Sequence, residues 1–123
     1  MTEAQGTHTS LRIPPRALLV GRSDKDAVRL MQQFFSEGYL ILADVELDRA
    51  LSKLRGRRFE FVLLDIEGAG AGGKEFVKTL RADSQLEGLP VLVTSRSDDI
   101  DAIEGVLECG ADDYLPNVFG AAV

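Results

Sequence analysis

The feature that most limits what this chain can fold into is an alternation of two hydrophobic periods. Short apolar runs, "ALLV" (17–20), "YLILADV" (39–45), "FEFVLLD" (59–65) and "LPVLVTS" (89–95), followed by a shorter "ADDYL" (111–115), have the length of buried strands and are punctuated by glycine, proline or charge. Helical spacing fills the intervals. From Asp24 onward, Ala27, Val28, Met31, Phe34 and Phe35 recur at helical intervals, with Ser23 or Asp24 as the cap and Gly38 as the stop. A second helix turns Val45, Leu47, Leu51 and Leu54 inward and stops at Gly56. A third carries Phe76, Val77 and Leu80, and a fourth Ile100, Ile103, Val106 and Leu107. Strands that alternate with helices predict an α/β fold, a parallel sheet joined by right-handed crossovers with helices on both faces. The third strand is apolar on both faces toward its end, as a doubly covered sheet requires.

In sheets of this kind the working site lies beyond the carboxyl ends of the strands. Those ends hold Gly21 and Arg22 after strand one, Asp65 after strand three, Thr94 and Ser95 after strand four, and Pro116 and Asn117 after strand five. The 123 residues suit one domain. Residues 1–16, which end in Pro14-Pro15, read as a flexible tail, residues 17–119 as the domain, and residues 120–123 as a tail or truncation point. The lone histidine, His8, falls in the tail and reads as solvated. A net charge of −6 argues against nucleic acid or an anionic membrane as the main partner of this domain. Arg55, Arg57 and Arg58 form a basic cluster at a helix end, where the helix dipole and solvent account for them. The single Cys109 excludes an internal disulfide. With no signal-peptide core and no run of the ~20 apolar residues a membrane helix needs, the sequence points to a cytoplasmic protein.

Asp65 is followed by a glycine-rich stretch, and Gly68 to Lys74 ("GAGAGGK") fits the G-x-x-x-x-G-K core of a phosphate-binding loop. That motif continues with Ser or Thr to hold magnesium, and this chain has Glu75, whose carboxylate would face the phosphates. The match is weak.

The blocks "FVLLDIEGAGAGG" around Asp65, "LPVLVTSRSDD" around Thr94 and "GADDYL" from Gly110 to Leu115, with the spacing between them, resemble the receiver domain of bacterial two-component response regulators. The resemblance spans nearly all of Ala17 to Phe119. It implies a doubly wound, flavodoxin-like five-stranded parallel sheet of order 2-1-3-4-5, and a histidine kinase that phosphorylates the aspartate after strand three. Receivers hold magnesium with an acidic pair after strand one, that aspartate, and a backbone carbonyl two residues later, here that of Glu67. They add a Ser/Thr hydroxyl after strand four and a lysine after strand five, since phosphoryl transfer to a carboxylate rests on positioning and charge neutralisation.

Carried over residue by residue, Asp65 matches the phosphoacceptor position, Thr94 the switch hydroxyl and Tyr114 the aromatic that follows it. The acidic pair falls on Gly21 and Arg22, and the lysine-proline pair on Asn117 and Val118. Asp24 and Asp26 project from the first helical turn, out of register with the metal site. The expectation is a receiver that has lost its phosphorylation machinery, neither an enzyme nor dependent on a cofactor. In it the Arg22 guanidinium either pairs with Asp65 near the place of magnesium or points to solvent. Asp65 itself either serves chemistry or caps the glycine stretch. A working phosphoacceptor, with magnesium held weakly by Asp65 and Glu67, is the alternative. A flavin- or nucleotide-binding enzyme of the same topology is a more distant third class.

The fourth helix is acidic, with Asp98, Asp99, Asp101, Glu104 and Glu108 around its apolar stripe. Its charge run reads as a solvated face. The resemblance to receivers, which commonly interact through this helix, strand five and the fifth helix, implies instead a surface for a protein partner or homodimer. Only "GAAV" follows Phe119, so the last helix of the receiver pattern is expected to be missing and the sheet face beside the first helix to be partly open.

Overall fold

In the computed structural model, which describes residues 14–97 and 99–116, every apolar run becomes a strand. The elements are β1 (Arg16–Val20), α1 (Lys25–Ser36), β2 (Leu40–Asp44), α2 (Leu47–Gly56), β3 (Phe61–Asp65), α3 (Gly73–Ala82), β4 (Val91–Ser95), α4 (Ile100–Glu108) and β5 (Asp113–Pro116). The five strands form one sheet in the order β2-β1-β3-β4-β5, and every neighbouring pair runs parallel. This is the doubly wound, flavodoxin-like arrangement expected.

Successive strand residues point to opposite faces, so the apolar runs feed two cores. Leu18, Val20, Val62, Leu64, Val91 and Val93 pack with Ala50 and Leu54 of α2, with Phe76, Val77 and Leu80 of α3, and with Val106 of α4. Ala17, Leu19, Ile41 and Leu63 pack on the other face against Ala27 and Leu30 of α1. Full burial of a leucine contributes roughly 1.5–3 kcal/mol, so the central strands β1 and β3 carry much of the stability. Phe34, Tyr39 and Phe61 close the bottom of the second core, with ring centroids 5.8 to 6.4 Å apart.

Several sequence expectations are corrected. The first strand begins at Arg16, inside the segment read as a tail, because the Pro15 carbonyl already accepts a hydrogen bond from Leu40 N–H at 2.9 Å. The inward face of α1 is Ala27, Leu30, Met31 and Phe34, whereas Val28 and Phe35 are solvent-exposed, Phe35 at 66%. Helical spacing admits two neighbouring stripes, and the tilt of α1 on the sheet selects one. Val45 precedes α2 and is exposed, its place in the core taken by Ala50; Ile100, at the first position of α4, is 60% exposed. The glycine stretch is not an open loop. It folds as a helical turn (Ile66–Ala69), a 3-10 turn (Gly70–Gly72) and the start of α3. Its backbone is thereby committed to helical bonding, not to a phosphate cradle.

His8, Asp98, Asn117, Val118, Phe119 and residues 120–123 lie outside the described residues, as does the expectation of a missing fifth helix. On the α1 side of the sheet, Leu92 and Leu115 are half-buried.

Candidate functional site

Register assembles the site. Parallel pairing sets Asp65 beside Thr94 and Val20 beside Asp44, so the carboxyl ends of β1, β2, β3 and β4 open on one edge. The chain leaves β1 through Gly21, whose φ of +99° suits glycine and whose N–H donates to the Asp44 carbonyl at 2.8 Å. A Cβ on Gly21 would stand 2.9 Å from Ala69 N, and one on Gly68 would collide with the Gly21 carbonyl. The β1 exit and the turn after β3 thus meet backbone to backbone. An acidic side chain at position 21, the receiver pattern, has no room in this packing.

Asp65 is buried. Its Oδ2 accepts Gly68 N–H at 2.8 Å, capping the helical turn, and its Oδ1 accepts the Thr94 hydroxyl at 3.3 Å. The Arg22 side chain, only 11% exposed, brings Nη1 to 3.6 Å from Asp65 Oδ1. The same guanidinium binds Asp24 through Nε and Nη2, the latter at 2.8 Å, and lies 3.5 Å from Asp26. Asp24 also caps α1 by accepting Ala27 N–H at 3.0 Å. Asp26 receives Arg96 from the loop after β4. Asp24 and Asp26 therefore do enter the site, through Arg22, although the sequence placed them out of register.

These contacts set the ionisation of the pocket. Burial pushes the Asp65 carboxyl up, outweighing the Gly68 N–H and the Arg22 charge. The Arg22 bonds hold Asp24 down to about 2, and reciprocally Asp24 raises Arg22. Burial opposes ionisation of Glu67, but the donors of Ser95, Arg96 and Ser97 prevail and hold it at about 2. A cleft of about 460 Å³ is lined by Arg22, Asp24, Asp65, Glu67 and Arg96, together with Gly21, Ser23, Val45 and Gly68.

The donor set does not suit the magnesium site of the receiver pattern. A cation needs several free oxygens. Here a guanidinium stands beside Asp65, and the Glu67 carboxylate is engaged by the β4–α4 loop. Among the described residues, no group of three or more His, Cys, Asp or Glu side chains is placed to hold a metal ion. Tyr114 lies on β5, two strands from Asp65 with β4 between them, half-buried opposite Val93.

Sequence reasoning did not single out Arg96, Ser97, the buried Asp44 or Arg81. Asp44 closes β2 with Arg49 at 3.1 Å and Lys53 at 3.0 Å. Arg81 reaches from α3 to the carbonyls of Gly110 and Leu89 and to Asp112, whose carboxylate accepts Val91 N–H. The i, i+5 and i, i+9 spacings of Asp44 with Arg49 and Lys53 were the available hint; nothing local marks Arg81 or Arg96.

Fold and site together define a response-regulator receiver domain. The chain matches the response regulator receiver domain family over residues 20–122 and belongs to it. It is 39% identical over 108 residues to the transcriptional regulatory protein AruR of Pseudomonas aeruginosa, covering 82% of this chain and 42% of that one. With the protein PetR of Rhodobacter capsulatus it shares 35% over 108 residues, covering 86% of this chain and 44% of that one. The chain thus spans less than half the length of these relatives. A putative response regulator from Chloroflexus aurantiacus superposes with a TM-score of 0.78 at 26% identity, covering 88% of each chain. The chemotaxis response regulator CheY4 of Vibrio cholerae shares the fold, with a TM-score of 0.74 at 23% identity over 85% of this chain and 87% of that one. Among the described residues, no helix is long and apolar enough to cross a membrane.

Proposed function

We propose that this chain is a cytoplasmic signalling module that acts by docking to protein partners without phosphorylation of Asp65, and so without magnesium or catalysis. The observation that carries the reading is the Arg22 guanidinium, 3.6 Å from Asp65 Oδ1, at a position where the receiver pattern has an acid. A fixed positive charge there opposes the entry of a divalent cation and neutralises part of the aspartate charge that a phosphoryl transfer would use. The docking surface is α4 with β5. Asp99, Asp101, Glu104 and Glu108 are exposed around Ile100, and β5 is an edge strand of the sheet. A protein partner or a second copy of the chain would bind there.

Phosphorylation by a histidine kinase is the second reading, favoured by the Thr94 hydroxyl on Asp65. An amide NMR titration of the protein with magnesium, then with magnesium and beryllofluoride as an acyl-phosphate mimic, tests the choice. The proposal expects no saturable shifts around Asp65. Saturable shifts spreading from Asp65 to Thr94 and Tyr114 would overturn it.

A further inference from the structure

The loop between β4 and α4 turns a set of donors toward one carboxylate. Ser95 Oγ donates to Glu67 Oε2 at 2.7 Å, Ser97 Oγ to the same oxygen at 2.8 Å, and Arg96 N–H to Oε1 at 3.0 Å, with Ser97 N–H further off at 3.4 Å. Two hydroxyls and successive backbone amides converging on an anion form an oxyanion nest. Glu67 is otherwise a solvent-facing residue on a four-residue turn, so local structure does not require it to reach this loop.

We propose that the Ser95–Ser97 loop is an oxyanion receptor whose occupant is built into the chain, the Glu67 carboxylate. The occupant holds the loop in one position without any chemistry at Asp65, and in this the inference rests on the reading above. Loop position matters because α4 starts directly after it, capped by Asp99, with Ile100 presented to solvent. The turn that carries Glu67 is capped by Asp65, so the pocket and the start of α4 are joined through Glu67. When Glu67 leaves, the same donors accept an external oxyanion of the carboxylate or phosphate class.

The test uses the whole chain without magnesium, which separates it from the beryllofluoride experiment. In Glu67→Ala, the Arg96 and Ser97 amide resonances should move and their hydrogen exchange should quicken at least tenfold, while amides of Val62 to Leu64 stay protected. Adding acetate, and separately inorganic phosphate, should return the Arg96 and Ser97 resonances saturably toward their original positions. Glu67→Gln, which keeps an acceptor oxygen, should lie between the two. Ser97→Ala provides a second route, with a smaller displacement of the Arg96 amide. Unmoved Arg96 and Ser97 amides in Glu67→Ala would overturn the proposal. So would loosened amides that neither acetate nor phosphate restores.

Discussion

Arg22 and Asp65 face one another across the mouth of the sheet at 3.6 Å, the arginine nearly enclosed and also bound to Asp24 at 2.8 Å. The pair joins the exits of β1 and β3, and Asp26 extends it to Arg96 beyond β4. A buried carboxylate is costly unless its charge is met, and the Arg22 guanidinium of the same chain offsets part of that cost.

Replacing Arg22 with alanine removes this compensation. We expect Arg22→Ala to lose about 1–3 kcal/mol in urea denaturation, the scale for a buried polar group losing a charged partner. The Asp65 carboxyl should move further above its ordinary range, read from its side-chain carbon resonance. A variant as stable as the parent, with Asp65 unmoved, would show that the pair contributes nothing.

Asp65 and Glu67 should titrate in opposite senses, although they are two residues apart. Asp65 is raised above the ordinary 3.8, so it binds its proton more readily folded than unfolded, and acidification through that range favours the fold. Glu67 is lowered from 4.5 to about 2, so its contribution is fully present above 4.5 and is lost as pH falls toward 2. Carbon-detected titration should therefore show Asp65 protonating before Glu67. The reverse order would contradict the hydrogen-bond pattern at both groups.

Backbone contact between Gly21 and Gly68 makes both positions intolerant of a side chain. Gly21→Ala and Gly68→Ala should each cost at least about 2 kcal/mol, through the strained φ at the first and steric collision at the second. Gly56→Ala is the control, since a Cβ there meets nothing within 4 Å at the end of α2. It should be neutral or add about 0.4–1 kcal/mol. Thermal melts of the three variants suffice. Equal losses at all three would mean that the close approach is not the cause.

Arg81 ties α3 to both ends of the segment that precedes β5. Arg81→Ala leaves the carbonyls of Gly110 and Leu89 and the Asp112 carboxylate without this donor, and should cost about 2–4 kcal/mol. Arg81→Lys should recover little of it, because one ammonium cannot span the four acceptors, the Glu87 carbonyl among them, set around a planar fork. Full recovery by lysine would point to charge alone.

The sequence by itself determined the number of strands, their alternation with helices along the chain, the two-sided covering of the sheet, and the positions of Asp65 and Thr94 at strand ends. Those properties follow from local period and length, which apolar runs of strand size between helical stripes record directly. Even the departure at Arg22 was visible, as a basic residue at an aligned acidic position. Only the tertiary structure decided where that arginine points. It also chose which of two neighbouring stripes α1 buries, leaving Phe35 in solvent, and turned the glycine stretch into helix against Gly21. Asp26 meeting Arg96, 70 residues away, and Glu67 meeting Ser95 and Ser97 depend on how α1, β3 and β4 are brought together. Such contacts leave no periodic trace, because their partners are set by strand register and crossover geometry and not by neighbours in the chain.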